Sequence, residues 1–283
     1  MPFVVLDGPM GTELARRGVP MPAPGWSAHA LDVAQDVVEA VHRDYVARGA
    51  TVHTANTFRT RRRTLGASWE ELARRAVQIA RKCVPSGQRV TGSLSPLEDC
   101  YRPDLSPGSS SRAEHRELAV VLADQGVDLL LCETFPSAVE AVVAVEEAVR
   151  TGVETWVALT AGPDGALAAP EEIHVAGAAC VAAGARAVLI NCTAAARTLP
   201  YVLRLADLGV PFGAYANAGG PDDGIGWDAD ARAGARAYAA FARSWLEAGA
   251  SLIGGCCGTG PDHVAALVSL QEAQCTSFTS IRP

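Results

Sequence analysis

The sequence predicts a single (β/α)8 barrel, and three features lead there. Eight short apolar runs rich in β-branched residues recur along the chain, each is followed by a segment of helical periodicity, and each run ends on a polar or reactive side chain. The runs lie at 3–6, 51–55, 89–92, 127–131, 155–159, 187–190, 211–214 and 251–253. The helical segments between them lie at 34–48, 69–83, 112–125, 137–150, 171–182, 197–208, 230–247 and 262–272. Several close on the glycine expected just past a helix: Gly49, Gly126, Gly152, Gly184, Gly209 and Gly249. A doubly wound open sheet is the alternative. It usually has fewer units and carries a GxGxxG turn, which this chain lacks.

The 283 residues suit one such barrel, which typically needs about 250. No stretch reads as a linker, so one domain is expected over 1–283, with a short tail after about 273. Apolar residues make up 49% and charged residues 19%, enough for a large core without membrane composition. The net charge is −7, and the one basic run, Arg59 with Arg61, Arg62 and Arg63, reads as a solvated loop face. No nucleic-acid partner is expected without a larger basic footprint. The N-terminus has no basic start, long apolar core or small-residue cleavage site. The most apolar window, 175–190, is interrupted by Arg186 and falls short of the ~20 residues a span needs. The expectation is a cytoplasmic protein with no membrane association.

In a (β/α)8 barrel the reactive groups stand at the C-terminal ends of the strands. Here those ends carry Asp7, Asn56, Ser93, Glu133, Thr160, Asn191–Cys192, Tyr215–Asn217 and Cys256–Cys257. Three of the eight cysteines stand apart from the rest: Cys192 after the sixth run, and Cys256 with Cys257 after the eighth, in GGCCGTGP. Strand ends six and eight are one strand apart, within side-chain reach across a small mouth. The flanking glycines (Gly254, Gly255, Gly258) permit backbone angles that let adjacent sulfurs converge. Three thiolates with an open fourth position suit catalytic Zn²⁺. An isolated cysteine is more often plain core, but a vicinal pair in a Gly-rich turn plus a third at another strand end reverses that reading. A vicinal disulfide would be strained and is disfavoured in a reducing compartment.

The strings LDGPMGTEL, TANTF, GSLSP, LCETFPSAVEA, INC, YANAG and GGCCGT follow one another over nearly the full chain. In that order they resemble the homocysteine S-methyltransferase family, relatives of betaine–homocysteine methyltransferase and of the homocysteine module of methionine synthase. The resemblance implies a zinc-dependent enzyme that moves a methyl group from an activated donor to the thiol of homocysteine, giving methionine. The donor expected is S-methylmethionine or S-adenosylmethionine, with betaine as an open alternative, rather than folate, since no folate or cobalamin module is present. By resemblance Cys192, Cys256 and Cys257 match the zinc ligands and catalytic residues. Asp7 and Glu133 match acids that hold the amino group of homocysteine, and Asn217 falls where a side-chain oxygen could fill the metal's fourth position. Asn56, Ser93 and Thr134, at the same mouth, complete the expected substrate contacts. Ala216 and Thr193 depart from residues common in the family without removing a ligand.

Zinc would ionise a thiol whose free pKa, near 8.5, leaves little thiolate at neutral pH. Two rival readings are a zinc hydrolase, which would call for His and Asp ligands, and a thiol-redox or zinc-holding barrel without methyl transfer. Cys132 should face the helices, Cys180 and Cys83 belong to helices, and Cys275 to the tail. Cys100 sits in a long Pro-, Gly- and Ser-rich loop, 99–112, which reads equally as a lid over the mouth or as a simply mobile loop.

Overall fold

Residues 3–219 and 230–279 are described by the computed structural model of the chain. Strands β1 (Val4–Val5), β2 (Val52–Thr54), β3 (Arg89–Leu94), β4 (Leu129–Phe135), β5 (Thr155–Leu159), β6 (Ala187–Ala194), β7 (Phe212–Asn217) and β8 (Leu252–Gly255) form one sheet. All pairings are parallel, in the order β1-β8-β7-β6-β5-β4-β3-β2. A parallel bridge between Leu6 and Val52 joins the two ends. Asp7 N donates to Val52 O and Thr51 N to Val5 O, each at 2.9 Å, so the sheet closes on itself.

Helices α1 (Met10–Arg16), α2 (Ala30–Val33) and α3 (Gln35–Ala47) lie between β1 and β2, and α4 (Arg62–Leu65) with α5 (Trp69–Cys83) between β2 and β3. The later connections carry α6 (Arg112–Asp124), α7 (Ala138–Val149), α8 (Pro170–Ala182), α9 (Ala195–Leu205), α10 (Ala231–Glu247) and, last, α11 (Pro261–Thr279). The periodic pattern of α5 is typical: Leu72, Ala73, Ala76, Val77 and Ala80 make a buried stripe, while its charged residues stay outside. Helix α10 starts where Asp230 accepts hydrogen bonds from Arg232 N and Ala233 N at 2.8 and 3.0 Å. All six glycines expected past helix ends adopt positive φ, from 70° at Gly126 and Gly209 to 111° at Gly184.

The strand period of two sorts the core into two compartments. Leu129, Leu131, Ala187, Leu189, Tyr215 and Leu252 pack inside the barrel. Their neighbours Leu130, Cys132, Val188, Ile190, Ala214 and Ile253 pack outward under the helices. Cys132 therefore faces the helices as its parity requires, and Cys180 is buried on α8.

The differences from the expected layout lie at the mouth. Four strands run on past the first polar residue of the mouth: β3 to Leu94, β4 to Phe135, β6 to Ala194 and β7 to Asn217. Hydrophobicity ends there, but ladder pairing does not. Helix α1, two turns long, and the short α2 and α4 were not anticipated, since none spans enough residues to show a period. Helix α11 continues to Thr279 rather than giving way to a tail near 273, and the side chain of Cys275 lies outside the described residues. Among the described residues no helix is long and apolar enough to cross a membrane.

Candidate active site

Straight alternation along β6 would aim Asn191 inward and Cys192 outward, beside Ile190 on the helix side. Instead the β6–β7 register shifts between Asn191 and Ala194, and Cys192 takes φ 52°. The same happens on β4: the β4–β5 register shifts between Cys132 and Phe135, and Thr134 takes φ 65°. Left-handed backbone at a β-branched threonine and a cysteine is costly, so packing must enforce it. The two bulges turn Thr134 and Cys192 back toward the mouth, beside Glu133 and Asn191. Asn191 Nδ2 donates to Thr134 Oγ1 at 2.8 Å and lies 3.6 Å from Cys192 Sγ, tying the bulges together.

The second half of the cluster follows β8. Cys256 N donates to Ala216 O at 2.8 Å and Ala218 N to Cys257 O at 2.9 Å, so β7 still holds the chain past the ladder. Of the flanking glycines only Gly258 adopts left-handed backbone, with φ 81°. Gly254 and Gly255 serve close approach instead: a Cβ on Gly255 would lie 2.2 Å from Thr259 Oγ1, and one on Gly254 2.8 Å from Leu6 Cβ. Helix α1 pins the turn from below. Arg16 donates to Gly258 O (2.9 Å) and Thr259 O (3.0 Å) while paired with Glu13, and Gly258 N donates to Thr12 Oγ1 at 3.2 Å. Thr12 and Glu13 belong to the opening motif LDGPMGTEL, and Arg16 follows two residues past its end.

The result is a cluster in which the sulfurs of Cys192, Cys256 and Cys257 all lie within 4.8 Å of one another, Cys192 Sγ to Cys256 Sγ being 2.7 Å. Tetrahedral zinc–sulfur bonds of ~2.3 Å place ligand sulfurs about 3.8 Å apart, so one ion fits among the three with a small spreading of that pair. Mutual hydrogen bonding between the thiols pushes Cys192 up and Cys257 well down from the usual thiol range. Among the described residues the group holds only thiols, not the His and Asp ligands that the hydrolase reading calls for.

The cluster opens into a cavity of about 750 Å³, lined among others by Asp7, Glu133, Thr134, Tyr215 and the three cysteines. Glu133 accepts from Ser93 Oγ at one oxygen and from Tyr215 OH at the other, 2.9 Å away. Asp7 Oδ2 accepts from Thr54 N at 2.8 Å. Among the described residues neither acid has a cationic partner. Burial pushes both carboxyls above their usual range, and the charge of Glu133 adds to the rise at Asp7.

The remaining expected contacts sort by geometry. Ser93 is fully buried and reaches Glu133 rather than the cavity. Asn56 lines the cavity, but its amide is committed to Ser27, accepting from Oγ at 2.9 Å and donating to the carbonyl at 2.8 Å. Asn217 donates to Cys192 O at 3.1 Å, with a buried Oδ1 that has no partner among the described residues.

The sequence reading passed over Tyr215 as a contact, although its parity on β7 marks it as inward. It also treated the arginine run as solvated, and that is corrected. Arg61 is 3% exposed and donates to Ser95 Oγ and to the Ser95 and Pro96 carbonyls, and Arg59 lines the cavity. Only Arg62 and Arg63 form a surface face. The long loop does lie over the mouth: Leu97 to Tyr101 line the cavity. Buried Glu140 on α7 holds both of its limbs, accepting from Leu97 N at 2.8 Å and Ser106 Oγ at 2.6 Å.

Comparison with known proteins meets this geometry. A family model for homocysteine S-methyltransferase matches residues 4–270. The chain belongs to the homocysteine S-methyltransferase family. Similar members include homocysteine S-methyltransferase 4 of Zea mays, 32% identical over 95% of this chain and 90% of that protein. A selenocysteine methyltransferase of Astragalus bisulcatus is 29% identical over 98% and 95%. The metallated form of the Escherichia coli homocysteine methyltransferase MmuM superposes with a TM-score of 0.80 at 27% identity, over 95% of this chain and 96% of that one. The chain is thus a methyltransferase acting on small molecules, and the thiol-redox alternative is not favoured.

Proposed function

We propose that this methyltransferase transfers a methyl group from a sulfonium amino acid, S-methylmethionine or S-adenosylmethionine, to the thiol of homocysteine, with Zn²⁺ held by Cys192, Cys256 and Cys257. The observation that carries the reading is the meeting, in one cavity, of three convergent thiols with two buried carboxylates that lack a cation. Soft sulfur donors suit zinc, and Asn217, whose buried Oδ1 has no partner among the described residues, has an oxygen free to act as a further donor. When bound, zinc supplies the Lewis acidity that keeps a thiol ionised at neutral pH.

The chain's own residues do the rest. Glu133 and Asp7 receive the homocysteine ammonium, whose charge offsets the burial that raises their pKa values. Ser93 and Tyr215 aim both Glu133 oxygens by donating to them. Thr134 and Asn191 fix the Cys192 sulfur. The loop from Leu97 to Tyr101 shields the mouth from water, which strengthens each of these electrostatic contacts.

The test is methionine formation by protein reloaded with zinc under reducing conditions, given homocysteine and a donor panel of S-methylmethionine, S-adenosylmethionine and betaine. Turnover with a sulfonium donor and about one zinc per chain is expected. Zinc-free protein of full activity, or loaded protein inert with every donor, would overturn the reading.

A further inference from the structure

Of the four arginines between Arg59 and Arg63, three are spoken for. Arg61 holds the Ser95 and Pro96 carbonyls, Arg62 pairs with Glu117, and Arg63 with Glu98 and Glu114. The Arg59 side chain has no ion pair or hydrogen bond with any described residue, and its buried Nε is among the atoms left without one. Yet it is not a solvated side chain. It lines the active-site cavity, with its guanidinium carbon 5.3 Å from the centre of the Phe58 ring. Neither nearby loop acid pairs with it: Glu98 pairs with Arg63, and Asp99 Oδ1 accepts from Tyr101 N at 2.8 Å. A half-buried guanidinium with a stacked face and an unused fork of donors is matched to a planar carboxylate.

We infer that Arg59 anchors the α-carboxylate of the sulfonium methyl donor and sets the enzyme's preference for an amino-acid donor. The assignment rests on the methyl-transfer reading above. Position separates donor from acceptor. The acceptor's sulfur and ammonium sites stand on the ends of β1, β4, β6 and β8, whereas Arg59 lies on the loop after β2. It is close enough to the lid thiol of Cys100 that its charge offsets part of the rise burial causes there. Arg59 and the three cysteines line the same cavity, whose volume of about 750 Å³ has room for a donor as well as homocysteine. In the transfer, the donor's S–CH3 bond breaks with its electron pair staying on the donor sulfur, which leaves as a neutral thioether. The acceptor thiolate supplies the pair for the new S–CH3 bond. Arg59 takes no part in bond making; it selects and orients the donor.

The experiment compares wild type, Arg59→Met and Arg59→Lys, all zinc-loaded, with S-methylmethionine and its carboxamide as donors. Losing a charge-assisted carboxylate contact should raise the KM for S-methylmethionine roughly 10- to 100-fold in Arg59→Met. The KM for the carboxamide, the KM for homocysteine and kcat should stay within about threefold, so the preference for acid over amide collapses, and Arg59→Lys should restore part of it. An intact acid-over-amide preference in Arg59→Met would overturn the proposal, as would a rise in the homocysteine KM in place of the donor's. Calorimetric binding of S-methylmethionine is measured in parallel. If wild type makes no methionine, the methyl-transfer reading fails, but equal binding by wild type and Arg59→Met would separately refute the anchor.

Discussion

Arg16→Met should weaken zinc binding although Arg16 touches neither metal nor substrate. Its guanidinium spans the carbonyls of Gly258 and Thr259 and the carboxylate of Glu13, holding the turn that begins with two of the three proposed zinc ligands. Hydrogen bonds to a charged group contribute about 1.5–3 kcal/mol each when buried. The Arg16 side chain is 37% exposed, so about 1 kcal/mol for each of the two carbonyl bonds is the appropriate scale. The remaining turn contacts, Gly258 N to Thr12 Oγ1 and Thr259 Oγ1 to Cys256 O, survive the change, which keeps the loop folded but looser. About 2 kcal/mol corresponds to roughly 30-fold in zinc affinity, in the range found for groups that orient ligands. Competition with a calibrated chelator measures that affinity, and thermal unfolding of zinc-free protein separates it from general destabilisation. Arg16→Lys, which can keep one of the bonds, should fall between the two. If zinc affinity in Arg16→Met stays within threefold of wild type while the zinc-free protein loses stability, the clamp serves the fold alone.

Three further outcomes follow from the same geometry. Cys192→Ser should lower zinc content at least tenfold by elemental analysis while the circular dichroism stays that of the barrel; retained zinc would remove Cys192 from the ligand set. Glu133→Ala should raise the homocysteine KM by roughly 10- to 100-fold with zinc still bound, and Tyr215→Phe should do so less; unchanged homocysteine affinity would make Glu133 a structural acid. His42, fully buried with neither ring nitrogen partnered among the described residues, has its pKa pushed down from 6.5 to about 3 by burial and by the neighbouring His53. The unfolded chain binds that proton below 6.5 and the folded chain does not, so stability is full above pH 6.5 and falls as pH drops toward 3. The loss is about 1.4 kcal/mol per pH unit, or 4–5 kcal/mol in all. Denaturant unfolding at a series of pH values should give a shallower acid limb for His42→Leu, and parallel limbs would show that His42 is not the proton acceptor.

The barrel itself was legible because its two periods are legible. Alternation of apolar residues marks the strands, the 3.6-residue repeat marks the long helices, and glycine marks the helix ends. Segment 155–159 appears as β5 and segment 69–83 as α5 with the same ends, and the other long helices fall within a few residues of expectation apart from the extension of α11. The reading failed where those signals stop. Polar mouth residues such as Glu133, Thr134, Asn191 and Cys192 carry no hydrophobic pattern, yet their backbones still pair in β4 and β6.

The sequence by itself determined which reactive residues this protein brings to one end of the barrel. Strand order and chain direction place every residue at the end of its strand there, whatever the side-chain packing. Only the tertiary structure decided which way each one points. Cys192 and Thr134 face the mouth through left-handed bulges that their residue types do not favour and that only the surrounding packing can enforce. Asn56 is turned to Ser27, Ser93 to Glu133, and Arg59 to the cavity while Arg61 is buried under the lid. The contacts of Asn56, Arg61 and Ser93 each depend on a partner 29, 34 or 40 residues away in the chain, so no local pattern could encode them.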